Sequence, residues 1–118
     1  MLMFTVLFTE VFTEWYSELD QHEKDSVDAG LYLLMQQGYQ LGRPYADTIK
    51  GSRLTNLKEL RIQHVGKPYR AFFVFDPLRQ AIMLCGGDKT SDKRFYNRMI
   101  TLAENTYQQY LDDMETDK

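Results

Sequence analysis

The chain has 118 residues, of which 43% are hydrophobic and 14% aromatic. This length suits a single domain, and this composition excludes a disordered chain because enough apolar surface is available to build a core. No apolar run approaches the roughly 20 residues of a spanning helix, and the first residues lack the pattern of a secretion signal. The single cysteine, Cys85, can form no internal disulfide. We therefore expect one cytoplasmic domain over residues 1–118, without a membrane partner.

The net charge of −3 conceals a strong segregation of charge along the chain. Residues 50–98 hold eleven of the fourteen basic residues and only four acids, whereas residues 1–49 hold eight acids and two bases. A basic segment of this kind favours an anionic ligand at one face of the protein. The alternative is that basic strands pair with acidic helices in an electrically neutral fold.

The first third of the chain predicts a strand followed by two helices. Residues 3–8 are β-branched and aromatic, which is typical of a strand. Thr9 follows as a predicted N-cap, and apolar residues then recur at helical spacing. A second helix is predicted over residues 23–37, with Gly38 as its C′ residue. The two helices form a predicted αα-hairpin.

The remainder predicts a loop, three strands and a final helix. Residues 39–56 show no period and predict a long loop with at most one short turn. Three strands follow in close succession, at 57–64, 68–75 and 80–85. Residues 86–89 predict a flexible loop, Ser91 or Asp92 caps the last helix, and residues 112–118 are expected to fray. The order β-α-α-β-β-β-α predicts an α+β fold in which helices pack on a four-stranded, mostly antiparallel sheet.

The turn between the first two of these three strands decides which side chains share a face. A two-residue turn at 66–67, or a four-residue loop over 65–68, places Gln63 opposite Arg70 and Arg61 opposite Phe72. Arg61 and Arg70 then lie together on an open face, with Phe72 beside them as a platform for a base. A three-residue loop would instead separate the two arginines.

The apolar residues of these strands fall on the other face of the predicted sheet. A similar turn in the second hairpin puts Ile82 and Leu84 beside Phe73 and Phe75, on the face that the helices cover.

Two arginines on one sheet face have two interpretations. In the first, each guanidinium pairs with a surface carboxylate such as Glu59, as most surface arginines do. Alternatively, the two planar guanidinium groups clamp a phosphate.

Three short motifs in order carry a family resemblance. They are Leu57-Lys58-Glu59-Leu60-Arg61-Ile62, Pro68-Tyr69-Arg70-Ala71-Phe72-Phe73 and Leu84-Cys85-Gly86-Gly87-Asp88-Lys89. With the predicted element order, they resemble the RelE/HigB-type toxins of bacterial toxin–antitoxin modules, and in particular their phage-derived branch. The resemblance implies a RelE-like fold.

The resemblance also implies an activity and its partners. Such toxins act as ribosome-dependent, metal-independent endoribonucleases that cut mRNA in the A site of the 70S ribosome. The ribose 2′-OH attacks the adjacent phosphate in line and leaves a cyclic phosphate, so no cofactor is implied. A cognate antitoxin, often with a helix-turn-helix domain, is the expected protein partner.

Site residues follow from the same resemblance. Arg61 and Arg70 match the phosphate-binding arginines of the family, and Lys89 matches its basic position after the last strand. Tyr96 is a base-stacking or proton-transfer residue, or alternatively packs at a sheet edge without a role in the site. Further basic residues are expected to hold the RNA backbone, namely Lys58, Lys67, Lys93 and Arg94. Several relatives use a histidine or carboxylate near the C-terminus as general base. Here the last histidine is His64, for which we predict a structural role on the core face.

Two other functions remain open at this point. One is a toxin of the same fold that carries out no chemistry, like the ParE branch that binds and inhibits DNA gyrase. The other is a phage-derived binding module without toxicity. No Cys/His spacing typical of zinc and no nucleotide-binding glycine motif occurs in the sequence.

Overall fold

The computed structural model describes residues 2–116 and confirms the predicted α+β class. Its elements in chain order are β1 (Val6–Phe8), α1 (Glu10–Ser17), α2 (Gln21–Gln37), β2 (Ala46–Thr48), β3 (Lys58–His64), β4 (Lys67–Phe75), β5 (Ala81–Asp88) and α3 (Phe95–Thr116), with a 3₁₀ turn at Gly38–Gln40. None of the helices within residues 2–116 combines the length and the apolar character that crossing a membrane requires.

The strands form one five-stranded mixed sheet in the order β1-β5-β4-β3-β2. Strand β1 runs parallel to β5, and the other neighbours are antiparallel. The prediction of four strands is therefore wrong. The additional strand, β2, lies in the segment predicted as a loop, where Ala46 pairs with Leu60 of β3. Three residues are too few to show an alternating pattern, and pairing with β3 rather than local sequence makes them a strand.

Two predicted helix ends are confirmed, at Thr9 and Gly38, whereas α3 begins at Phe95, so the prediction of Ser91 or Asp92 as its cap is wrong. Thr9 is the N-cap of α1, and its Oγ1 accepts a hydrogen bond from the backbone N–H of Phe12 at 3.3 Å. The same hydroxyl donates to the carbonyl of Met83 at 2.9 Å, which ties the helix start to β5. Gly38 ends α2 with a φ of 56°, a conformation that favours glycine.

The hairpin between β3 and β4 turns at Val65 and Gly66, both with positive φ, as a two-residue type I′ turn requires. His64 consequently pairs with Lys67, and Arg61 lies directly opposite Arg70. The predicted register, with Arg61 opposite Phe72, is wrong by two residues because Gly66 takes the second turn position and not the first. An even shift leaves every side chain on its original face, so Arg61 and Arg70 still share one.

Helices cover both faces of the sheet. One face packs on α1 and α2 through Phe12, Val27, Leu31, Leu34, Leu60, Ile62, Tyr69, Ala71, Phe73 and Met83. The other packs on α3 through Leu57, Phe72, Val74, Ile82, Leu84, Cys85, Phe95, Met99 and Ala103. The expectation of an open face for the arginines is therefore wrong along most of that face. Phe72 is 0% exposed, so it offers no surface to a base.

The second hairpin explains why Ile82 and Leu84 lie on the α3 side and not beside Phe73. Phe75 pairs with Ala81, so residues 76–80 form an odd, five-residue connection that reverses the predicted alternation.

Two consecutive glycines let helices approach β5 from both sides. The strand continues through the segment predicted as a flexible loop, up to Asp88. A Cβ at Gly86 would lie 2.4 Å from the ring of Trp15 on α1, and one at Gly87 would lie 3.0 Å from Phe95 on α3. Helix α3 itself extends to Thr116, into the segment predicted to fray, and residues 117 and 118 lie outside the described chain.

Candidate functional site

A buried carboxylate lies between the two arginines. Glu59 is only 4% exposed and points from β3 to the same side of the sheet as Arg61, two residues later. Its Oε2 accepts a hydrogen bond from Nε of Arg61 at 3.2 Å. Its Oε1 lies 3.3 Å from Nε of Arg70, a contact with the distance of an ion pair but without hydrogen-bond geometry. The same Oε1 accepts a hydrogen bond from the Tyr96 hydroxyl at 2.6 Å. We call these four side chains the Glu59 cluster.

The outer ends of the two guanidinium groups have different surroundings. Nη2 of Arg61 lies 3.3 Å from Oδ2 of Asp47, which β2 contributes. Nη1 of Arg70 donates to the Tyr69 carbonyl at 3.0 Å. The Arg61 side chain is 32% exposed and that of Arg70 12%. Arg61 is therefore the more accessible of the two arginines to an anion.

Tyr96 joins the cluster from the second residue of α3. Burial, followed by the hydrogen bond to Glu59, raises the pKa of Tyr96, while the neighbouring Arg70 opposes this effect. The hydroxyl is therefore protonated at neutral pH and acts as a donor. Nζ of Lys89 lies 5.4 Å from the centre of the Tyr96 ring, within cation–π range. The structure thus brings the four predicted site residues Arg61, Arg70, Lys89 and Tyr96 into one region.

A cleft of about 410 Å³ opens beside the cluster, between β2 and the first turns of α3. It is lined by Arg43, Asp47, Thr48, Ile49, Lys50, Glu59, Arg61, Tyr96 and Ile100. This volume falls within the usual range of small-ligand sites, about 300–1,000 Å³. Three of its lining residues are basic, which suits a group that carries a phosphate.

The four predicted RNA-backbone residues lie outside the cluster. Strand alternation places Lys58 and Lys67 on the face covered by α1 and α2, where Nζ of Lys58 lies 3.2 Å from Oγ1 of Thr48. Lys93 and Arg94 are exposed in the segment that leads into α3.

The remaining nucleophile and base candidates are engaged elsewhere. Nδ1 of His64 lies 2.8 Å from Oγ of Ser26 on α2, on the face predicted for it. Cys85 is buried, and burial raises the pKa of its thiol to about 12. Across residues 2–116, no group of three or more His, Cys, Asp or Glu side chains is arranged to hold a metal ion.

Sequence reasoning missed the central position of Glu59 and the contribution of Asp47. The sequence predicts Glu59 only as a surface partner of an arginine. The available signal is its spacing, because residues two apart on a strand share a face. Asp47 carries no comparable signal, since β2 itself was not recognised.

Comparison with known proteins adds independent information. Residues 14–108 match the family model described as phage derived protein Gp49-like. The chain is 38% identical over 110 residues to "Putative toxin HigB3" of Mycobacterium tuberculosis (strain ATCC 25618 / H37Rv), which covers 92% of this chain and 94% of that relative. It is 37% identical over 111 residues to "Putative toxin HigB2" of the same organism, again over 92% of this chain, and spans 55% of that longer relative.

Proposed function

This chain belongs to the phage-derived Gp49-like toxin family, and we propose that it is the toxin of a toxin–antitoxin module that cleaves mRNA on the ribosome. The family match bears out the resemblance to HigB-type toxins that three sequence motifs carry. The RelE-like character of the fold and the nuclease activity belong to the proposal.

The observation that carries the proposal is the pairing of Arg61 with Arg70 above one buried carboxylate. The two residues are direct partners across β3 and β4, and Nε of each lies within 3.3 Å of a Glu59 carboxylate oxygen. Guanidinium groups bind phosphate through several N–H donors at once. Two of them at one site supply the charge that a phosphorane needs as it forms.

The chemistry requires no protein nucleophile. The 2′-oxygen of the message forms a bond to the adjacent phosphorus while the bond from phosphorus to the 5′-oxygen breaks. The 2′-hydroxyl gives its proton to water and the departing 5′-oxygen takes one from water, so the products are a 2′,3′-cyclic phosphate and a 5′-hydroxyl. Arg61 and Arg70 stabilise the extra negative charge of the transition state, and one such donor contributes about 3–4 kcal/mol.

Lys89 and Tyr96 complete the proposed site. Lys89 neutralises charge that develops on the departing oxygen. Tyr96 is protonated and held by Glu59, so it serves as a donor and as a ring on which a base can stack. The exposed residues Lys93 and Arg94, with Lys58 and Lys67, contact RNA backbone outside the cleft.

A toxin requires a partner that silences it. We propose a cognate antitoxin, with a helix-turn-helix domain as the resemblance implies. The proposed place of action is the cytoplasm, on mRNA in the A site of the 70S ribosome.

One observation favours a second candidate. Both arginines already contact carboxylates, as they would in a network that only stabilises the fold. This arrangement suits a non-catalytic toxin, such as a ParE-like inhibitor of DNA gyrase.

Controlled expression separates the candidates. Translation, mRNA 5′ ends and chromosome integrity are measured in the same culture after induction. The nuclease produces a rapid loss of translation with newly cut mRNA, whereas a gyrase inhibitor produces double-strand breaks with intact mRNA. Unimpaired growth at high expression contradicts both and indicates a binding module.

A further inference from the structure

We infer that Glu59 is a positioning residue that orients Arg61 and Arg70 for the reaction proposed above. The inference rests on the proposed function but concerns a residue to which neither the family match nor the motifs give a role. It follows from the contacts, burial and charge of the cluster.

Each oxygen of Glu59 contacts one arginine, Arg61 through a hydrogen bond and Arg70 through an ion pair without hydrogen-bond geometry. Oε2 accepts a hydrogen bond from Nε of Arg61 at 3.2 Å, and Oε1 lies 3.3 Å from Nε of Arg70. Holding a guanidinium at Nε fixes the plane of the group and leaves its Nη end to point away from the anchor. Glu59 therefore fixes the plane of the Arg61 guanidinium through a hydrogen bond, and its charge holds the Arg70 guanidinium beside it.

Charge makes this anchor necessary. Arg61 and Arg70 are direct cross-strand partners, and like charges in that position repel each other. A negative charge between their inner ends offsets the repulsion. Without it, two cations close enough to share one phosphate would separate in the free protein and would have to be brought together again during the reaction.

Glu59 borders the cleft, but its low exposure and its occupied oxygens separate this role from direct contact with substrate. The Glu59 side chain is 5% exposed, and its two oxygens already receive Arg61, Arg70 and the Tyr96 hydroxyl. Glu59 thus acts on the message through the side chains that it holds.

The test compares two matched glutamate-to-glutamine variants. Glu59→Gln removes the charge between the arginines. Glu23→Gln makes the same change on the opposite face of the sheet. The Glu23 carboxylate also accepts a hydrogen bond from a tyrosine hydroxyl, that of Tyr69. In single-turnover cleavage of ribosome-bound mRNA, Glu59→Gln lowers kcat about 10²-fold, as a displaced catalytic group does, with little change in KM. Glu23→Gln cleaves at the wild-type rate.

Two further variants separate positioning from loss of folding. Thermal unfolding of each variant shows that the assays use folded protein. Glu59→Asp retains the charge and recovers part of kcat. If Glu59 acts through the arginines, the loss caused by Glu59→Gln shrinks when Arg61 or Arg70 is already Ala.

The inference is overturned if Glu59→Gln cleaves as fast as Glu23→Gln, or if its loss is unchanged in the Arg61→Ala and Arg70→Ala backgrounds. If the wild type cleaves no mRNA, the proposed function fails. NMR of the arginine Nε–H groups then tests separately whether Glu59 orients Arg61 and Arg70. Glu59→Gln must then shift the signals of both arginines and weaken the binding of inorganic phosphate. Unchanged signals or unchanged binding contradict the inference.

Discussion

Replacing Arg70 with Ala removes one of the two guanidinium groups that neutralise Glu59. Both side chains are largely buried, so water cannot replace the lost charge. Removing one partner of a buried ion pair costs about 3–5 kcal/mol, because the other charge is left without compensation. Here Arg61 and Tyr96 still contact the carboxylate. We therefore expect the lower end of that range, about 3 kcal/mol, which in a domain of this size lowers Tm by about 10–15 °C.

The assay is thermal unfolding followed by circular dichroism, with two comparisons. Arg61→Ala removes a more exposed side chain and should cost about 1 kcal/mol. In Arg70→Ala the buried Glu59 carboxylate has lost one of its two cations. Adding Glu59→Gln removes that negative charge, so the double variant should unfold at a higher temperature than Arg70→Ala alone. The reasoning is refuted if Arg70→Ala unfolds like the wild type, or if Glu59→Gln lowers the stability of the Arg70→Ala protein further.

Three other predictions concern packing and protonation. Gly86→Ala forces a Cβ against the Trp15 ring and should cost about 1–3 kcal/mol in urea unfolding, whereas Gly42→Ala, where no atom lies within 4 Å of the added carbon, should leave stability unchanged. Burial raises the pKa of Cys85 to about 12, so native protein should react with iodoacetamide at pH 8 far more slowly than unfolded protein, and equal rates would contradict this. A hydrogen bond to a carboxylate, with burial, raises the pKa of Tyr16 to about 12 from 10.0. The folded state thus favours the neutral phenol, and its stabilising contribution is complete below pH 10 and lost between about pH 10 and 12. Tyr16→Phe should lose less stability over that interval, and parallel urea curves would contradict the assignment.

The elements that sequence predicted well are those that local chemistry specifies. Thr9 and Gly38 mark helix ends because a hydroxyl cap and a positive φ are properties of single residues. The three long strands follow from the short turns that bound them, and β4 also from its aromatic and β-branched content. Strand β2 and the five-residue connection after Phe75 depend on pairing between distant segments, which no local pattern encodes.

The site shows the same division. The motifs single out Arg61, Arg70 and Lys89, and strand alternation places the two arginines on one face even with the register wrong by two residues. The burial of Glu59 arises only when Tyr96 of α3 packs over the end of β3. For the same reason Phe72, which sequence placed beside the arginines as a stacking platform, lies in the core beneath Tyr96.

The most direct test of the nuclease proposal is to sequence RNA fragments that carry a 5′-hydroxyl, shortly after induction of the wild type and of a folded Arg61→Lys variant. Lysine keeps the charge but loses the paired donors of the guanidinium. The wild type should produce ends clustered inside translated codons, and these ends should disappear when translation is blocked or when Arg61 is Lys. Growth arrest without such ends, or the same ends from the Arg61→Lys protein, would contradict the account.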